Sequence, residues 1–346
     1  MRTVLIHTVR NDAHAKIVAK ALNKRGNRVI TWLGENYPLR ANVSVIHVGK
    51  EAEAIFRSDE VCFNGAEIDV VWNRRRMLPQ VPASVDARDV DFSFKELQTA
   101  FASHDLYFSN AFWINNEKST VYSDLKMMQL IKAQKVGMCI PKTLICNDPL
   151  GVRKFVGQTS QCIYKSLNGH VWHEDGKRLS TYTARIHESA LVADAALQAV
   201  PGIYQEMIQK SFEVRAQFFG NYYAAIKINS LGLKEGDLDW RIGQNEIESC
   251  EAILLPHQIY KSCLNLMCEL DIVSGGFDFI VDIEGNWIFL EVNEAGQFLF
   301  IEEWCRQLHL LDAFCQFVEK MDMNFQYTES ASPIDIADFY EEVAAV

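Results

Sequence analysis

Residues 3–9 (TVLIHTV) form an apolar run of strand length, and the polar stretch behind it takes up helical spacing. Asp12 is placed to cap this helix, which runs to about Arg25 with Gly26 as its stop. Strand signals return at 28–34 (RVITWLG) and 44–49 (SVIHVG), and IDVVWNRRR (68–76) is a strand that ends in charge. This alternation predicts a small open α/β unit with helices on the sheet faces. A helix-like stretch over 92–108 leads to a polar break at Asn115-Asn116.

A second unit starts with a helix over 122–136, its apolar face given by Leu125, Met128, Ile131 and Ala133 and its end by Gly137. Strand 140–146, a short helix after Asp148-Pro149, strand 161–167, the loop NGHVWHEDGK, strand 178–186 and a helix over 188–200 follow. Pro201-Gly202 is a boundary signal.

Beyond it the pattern is strand-rich. Runs 203–208, 213–219 and 222–228 alternate or are continuously apolar, with Gly220-Asn221 as a hairpin turn. A polar loop (231–243) precedes a helix over 256–270. Strands GGFDFIVDI and NWIFLEVN then meet at Glu284-Gly285-Asn286. Two short helices follow, and the acidic tail after about 328 is expected to be mobile.

Composition narrows the classes. A formal net charge of −11 repels polyphosphate backbones, and the compact basic run Arg74-Arg75-Arg76 is too short to overturn that. Nucleic acid is therefore not expected as a partner. The nine cysteines are scattered without a C-x-x-C, and Cys62, Cys162 and Cys250 lie in apolar segments that read as core. They are expected to be reduced thiols of a cytoplasmic protein. No signal peptide and no stretch of membrane-spanning length is read, so no membrane is expected as a partner.

The final hairpin carries the strongest chemical signal. Glu291 and Asn293 are two apart in a strand and share a face, and Asp278 stands on the neighbouring strand. Two carboxylates and an amide oxygen are hard ligands suited to magnesium. A half-exposed strand with polar residues facing water is the plain alternative. Lys165 lies in an apolar strand, where an ammonium needs an anion or a path to solvent. In YQEMIQKSFEVR, a linker follows Gln205 and Glu206, and Glu213 and Arg215 then alternate on one strand face. Linker backbone can read an adenine edge and a carboxylate can bind ribose hydroxyls. Arg215 and Arg241 could clamp phosphoryl oxygens, with ordinary cross-strand ion pairing as the alternative. No Walker loop, dinucleotide fingerprint, kinase set, H-E-x-x-H or nucleophile elbow is present.

Taken in order, Lys126, Lys165, the QEMI linker, Glu213, Asp278, Glu291 and Asn293 resemble the ATP-grasp superfamily. KMMQLIKAQKVGMCIPKTLICNDP, IYKSL, LDWR and GGFDFIVDIEGNWIFLEVNEAGQFLFIEEW narrow the likeness to the microviridin-type (graspetide) peptide ligases, over roughly residues 65–325. The N-terminal VVWNRRR is similar to a tryptophan-arginine strand of that family.

The resemblance implies an α/β (α+β) ATP-grasp fold. Its expected units are an N-terminal α/β domain (1–114), a central lid (115–201), a C-terminal antiparallel-sheet domain with the metal site (202–327) and the acidic tail (328–346). It further implies that Lys126 and Lys165 hold ATP phosphates, that Gln205, Glu206, Met207 and Ile208 contact adenine, and that Glu213 binds ribose. Asp278, Glu291 and Asn293 would carry magnesium, as a pair of ions, while Arg215 and Arg241 steady the transferring phosphoryl group. Such ligases phosphorylate an Asp or Glu side chain of a ribosomal precursor peptide (leader plus an acidic, Ser/Thr/Lys-containing core) and close an ester or amide ring. They are expected to act as homodimers.

One departure stands out: the loop after Lys165 is no plain glycine-rich flap. Glu174 and Asp175 in it are expected to meet a basic residue of a leader, against the alternative of a solvated tip. The rival readings are a ligase adding free amino acids to a peptide or protein, and a non-catalytic nucleotide-binding scaffold.

Overall fold

The computed structural model describes residues 1–174, 177–231, 238–243, 247 and 250–339. Near the N-terminus lie β1 (Thr3–Thr8), α1 (Ala13–Lys24), β2 (Arg28–Leu33), β3 (Ala41–Val48), β4 (Glu51–Ser58), β5 (Cys62–Asn64), β6 (Val70–Asn73), α2 (Val90–Ser103) and β7 (Phe112–Ile114). The parallel sheet runs β2-β1-β6-β7. Asp12 caps α1 as expected, accepting from the Ala15 N–H. The strand expected at 44–49 is β3, but it belongs to a separate antiparallel sheet, β3-β4-β5. Two of its strands carried no clear periodicity, because Glu51, Ala52 and Glu53 are all exposed at the outer end of the hairpin.

The middle holds α3 (Glu117–Ser123), α4 (Lys126–Lys135), β8 (Thr143–Cys146), α5 (Pro149–Gln158), β9 (Cys162–Lys165), β10 (Val171–Glu174), β11 (Lys177–Ser180), β12 (Ala184–Ile186) and α6 (Asp194–Ala199). The helix expected over 122–136 is two helices that break at Asp124-Leu125. Its buried face is also different: Gln129 and Ala133 are buried, while Leu125 and Ile131 are 53% and 58% exposed. Gln129 explains this. Its amide accepts from the Val292 N–H and donates to the carbonyls of Val292 and Ser123, so a polar side chain seals the edge of the next sheet.

The rest of the chain forms β13 (Gly202–Glu206), β14 (Lys210–Phe219), β15 (Tyr222–Ile228), β16 (Glu251–Ala252), α7 (His257–Leu270), β17 (Ser274–Asp282), β18 (Trp287–Asn293), α8 (Leu299–Trp304) and α9 (Leu310–Lys320). The central sheet is β12-β9-β13-β8, so β13, assigned from sequence to the C-terminal unit, is hydrogen-bonded into the central one. The C-terminal sheet is β16-β15-β14-β17-β18. Val214, Ala216, Phe218, Phe277 and Phe289 face α7 in one core. Phe219, Ala224 and Ile226 join Val4, Ile6, Val18 and the apolar side of α9 in another. Gly220 turns the β14–β15 hairpin at φ +55°, and a Cβ there would stand 2.5 Å from the Met323 carbonyl oxygen.

The tail is packed rather than loose as far as it is described: Ile334, Ile336 and Phe339 are buried. The cysteines also differ from expectation. Cys162 is buried, Cys250 half-buried and Cys62 exposed, and all nine are unbridged. Among the described residues no helix is long and apolar enough to cross a membrane.

Candidate active site

The strands of the C-terminal sheet set out the polar groups by their alternation. Glu213 and Arg215 lie on the face of β14 opposite α7, and cross-strand pairing puts Arg215 beside Asp278 and Asp278 beside Glu291. Between β17 and β18 the register shifts, Phe279 pairing with Phe289 and Asp278 with Glu291, so Leu290 is the extra residue of a bulge. The bulge lets neighbours Leu290 and Glu291 both line the same cleft, while Phe289 and Val292 stay in the core.

That cleft has a volume of about 670 Å³ and lies between the central and C-terminal sheets. Of the residues expected from sequence, Lys126, Lys165, Gln205, Glu206, Met207, Ile208, Glu213, Arg241, Asp278, Glu291 and Asn293 all line it. Its apolar walls, among them Ile163, Met207, Ile280 and Leu290, provide flat contact for an aromatic base. The buried Gln205 donates to Thr143 Oγ1 at 2.9 Å, and its Oε1 has no partner. A free buried acceptor on the cleft wall is what an exocyclic amine would satisfy.

Two expected residues lie elsewhere. Arg215 does not line the cleft: its side chain is 6% exposed and lies behind Asp278, with Nη1 donating to Asp278 Oδ2 at 2.7 Å and to the Gly276 carbonyl at 3.2 Å. Gly276 makes room for it, since a Cβ there would fall 2.3 Å from Arg215 Nη2. Glu174 sits on β10, in a two-stranded hairpin outside the cleft lining. Asp175 lies outside the described residues.

Three oxygen-bearing side chains converge at the cleft floor. Asn293 Nδ2 is 3.3 Å from Asp278 Oδ2 and 3.4 Å from Glu291 Oε1. An amide N–H thus stands between the two carboxylates, where a divalent cation would sit, and rotating that amide presents oxygen instead. Asp278 Oδ1 is buried and without a partner. Among the described residues no cluster of three His, Cys, Asp or Glu side chains could hold a metal. The set here is two carboxylates and an amide, the hard-oxygen chemistry that suits magnesium.

The two carboxylates differ electrostatically. Burial raises Asp278 to about 6, against the pull of Arg215. Burial also opposes ionisation of Glu291, but Lys126, Arg241 and Lys165 outweigh it and hold that group at about 2. Lys126 Nζ donates directly to Glu291 Oε2, and Arg241 Nη1 is 3.9 Å from Oε1. Lys165 stands on an interior strand rather than an edge, and burial lowers its pKa, with Glu291 opposing. Three cations gathered over a pair of carboxylates are a set that a polyphosphate with its metal would fit.

Asp239, Lys210 and Ser230 were given no role from sequence. Asp239 is 5% exposed and holds Arg241 by two bonds, Oδ1 to Nε at 2.8 Å and Oδ2 to Nη2 at 2.7 Å. Lys210 pairs with Glu213 Oε1 at 2.7 Å, and Ser230 donates to the same oxygen at 2.7 Å. Asp239 lies in the LDWR stretch that narrows the resemblance, and a lysine three before a glutamate is the signal for Lys210, a spacing that is not distinctive.

Residues 3–120 match the family model of the MvdD pre-ATP grasp domain. The chain is similar to a Chryseobacterium gregarium RiPP-associated ATP-grasp ligase solved with ADP and a leader and core peptide. They share 25% identity over 93% of this chain and 96% of that one, with a TM-score of 0.82. It is similar also to the macrocyclase MdnC of Microcystis aeruginosa MRC, solved with precursor peptide MdnA, at 24% identity, 92% and 99% coverage and a TM-score of 0.79. A D-alanyl-alanine synthetase A from Vibrio cholerae shares the fold at 10% identity, 92% and 97% coverage and a TM-score of 0.57. None of the curated proteins matches. The chain has the ATP-grasp fold.

Proposed function

We propose that this ATP-grasp chain is an ATP- and magnesium-dependent ligase that closes ester or amide crosslinks within a ribosomal precursor peptide, a graspetide macrocyclase. The observation that carries the reading is the convergence of Asp278, Glu291 and Asn293 under Lys126, Lys165 and Arg241 in one cleft. Similarity to peptide-bound ligases over nearly the whole chain supports the substrate class.

In this reading Gln205–Ile208 contact adenine, Glu213 takes the ribose, and Lys126 and Lys165 hold phosphates. Asp278, Glu291 and Asn293 hold a pair of magnesium ions, whose charge offsets that of the phosphoryl oxygens. A peptide carboxylate oxygen bonds to the γ-phosphorus as the bond to ADP breaks, giving an acyl phosphate. A peptide hydroxyl or amine then bonds to the acyl carbon, its proton is lost and phosphate leaves. The net change in the peptide is loss of one water per ring. Arg241, fixed by Asp239, neutralises charge on the moving phosphoryl group, while Arg215 positions Asp278 from behind. Pairing of two copies belongs to the same proposal and is checked by light scattering.

The test is the intact mass of a candidate precursor peptide, one encoded beside this gene, after incubation with enzyme, ATP and magnesium. Loss of whole waters is expected with wild type and none with Glu291→Ala. A gain equal to an added amino acid would move the chain to the rival ligase class. Full activity of Glu291→Ala would defeat the metal assignment.

A further inference from the structure

Trp240 is out of keeping with its own segment. Residues 231–243 read as a polar loop, and Trp240 is the large aromatic of the LDWR stretch within it. A side chain of that size takes its apolar cover from elsewhere. Phe300 and Trp304, in GQFLFIEEW, stand four apart on α8 and so share one face of that helix. The Trp240 ring lies 5.6 Å from each of them, tilted at 33° to Phe300 and nearly edge-on to Trp304 at 79°. Those two rings are themselves 4.9 Å apart. Two stretches distant in sequence thus meet as a cluster of three rings beside the cleft, whose wall Trp240 also lines.

The backbone around Trp240 is a turn closed by the residue before it. The Ile242 N–H donates to the Asp239 carbonyl at 3.0 Å, and Asp239 Oδ1 accepts from the Arg241 N–H at 3.2 Å. Aspartate suits this place because its short carboxylate reaches the N–H two residues on. The same carboxylate grips the guanidinium by Nε and Nη2, which turns Nη1 toward Glu291 Oε1, 3.9 Å away. Burial alone would raise the Asp239 carboxyl, yet its bonds to Arg241 hold it below the usual carboxylate range. Turn and guanidinium are therefore one unit, and where the turn goes Arg241 goes.

Asp239 orients Arg241 within the turn; what sets the turn in the fold is a separate matter. Among the described residues, its polar contacts with other elements are long. Thr183 Oγ1 is 3.5 Å from Asp239 Oδ2, and Glu291 is farther still from Arg241. The helix under Trp240 is by contrast firmly held. Leu299, Ile301 and Glu302 of α8 are buried, and Glu302 accepts from the N–H groups of Leu311 and Ile336 at 2.7 and 3.0 Å.

We infer that Trp240 is a positioning residue: it docks the Asp239–Arg241 turn on α8 and so sets the Arg241 guanidinium beside Glu291, where it meets the terminal phosphoryl group of ATP. The inference rests on the ligase reading above and deepens it. The α8 helix, which does not line the cleft, becomes part of the frame that holds the phosphoryl end of it.

The experiment titrates ADP and a non-hydrolysable ATP analogue, adenylyl imidodiphosphate, each with magnesium, into the full chain by calorimetry. The two nucleotides differ at the terminal phosphoryl position, so the ratio of their affinities reports on Arg241. Trp240→Ala is expected to weaken the analogue about tenfold relative to ADP, the scale of one charge-assisted hydrogen bond, and to leave ADP affinity unchanged. Trp240→Phe should keep most of the ratio. In an Arg241→Ala background Trp240→Ala should change the ratio no further, because both act at one point. Phe300→Ala, which empties the seat from the α8 side, is expected to give the same shift and serves if Trp240→Ala does not fold. An unchanged ratio, equal weakening of both nucleotides, or additive losses in the double variant would each overturn the inference. No peptide enters the titration, so a chain that binds nucleotide but closes no ring would fail the mass assay and still leave this result standing.

Discussion

Glu213 is already oriented without a nucleotide. Its Oε1 accepts from Lys210 Nζ and Ser230 Oγ, each at 2.7 Å, and both members of the ion pair are more than nine-tenths buried. One oxygen committed to the protein leaves Oε2 for the ribose hydroxyl of the proposed nucleotide. Breaking such a pair from one side strands a buried charge, at a cost of about 3 kcal/mol. Lys210→Met is therefore expected to lower the urea-unfolding stability by about that amount and to weaken ADP binding. Adding Glu213→Gln should recover most of the stability but not the binding. Near-additive losses in the double variant would show that the pair is not coupled. Arg215 shows the limit of residue-scale reading. Strand alternation placed it correctly on the polar face, but the space over Gly276 lets its guanidinium fold down across β17, behind Asp278. That depended on a glycine in another strand, outside any local pattern.

At the scale of elements, the β10–β11 hairpin pairs, among the described residues, only with itself and presents Trp172 and Leu179, 44% and 48% exposed. A lone two-stranded ribbon gains little stability by itself and is suited to order on a partner. The residues at its base, Gly169 and Thr181, line the cleft. If Glu174 and Asp175 meet a basic leader residue, alanine at both should weaken precursor affinity several-fold while leaving ATP hydrolysis intact. Unchanged affinity in an anisotropy titration would leave the hairpin tip simply solvated. Elements with strong periodicity were legible: α1 with its Asp12 cap, and the long strands β14, β15, β17 and β18. The convergence of Asp278, Glu291 and Asn293 was legible because period-two alternation fixes which residues share a face. What stayed hidden depended on partners distant in sequence. Gln129 turns the α4 helix onto β18, and β13 crosses into the central sheet because β8 and β9 supply its hydrogen bonds.

Across the whole molecule, two sets of buried groups titrate against each other. His7 is pushed down to about 3 and His104 to about 4, chiefly by burial, and His14 lies well below its usual value. These remain neutral in the fold, so the stability they contribute is present above about 6.5 and is lost as pH falls and the unfolded chain takes up protons. Asp278 and Glu294 run the other way. Burial raises them to about 6 and about 7, so their contribution is present at low pH and lost as pH rises through those values. With both sets acting, the stability of the ligand-free chain is expected to change little between about pH 7 and 5.5. If Asp278 holds magnesium as proposed, binding of magnesium and ADP keeps it ionised, which removes its share and leaves Glu294 to oppose the histidines. The stabilisation given by the ligand should then shrink by about 1.4 kcal/mol for each pH unit below about 6. Urea midpoints measured with and without ligand at several pH values decide this. Parallel curves would mean that Asp278 does not change protonation on binding, and would remove the link between its burial and the metal.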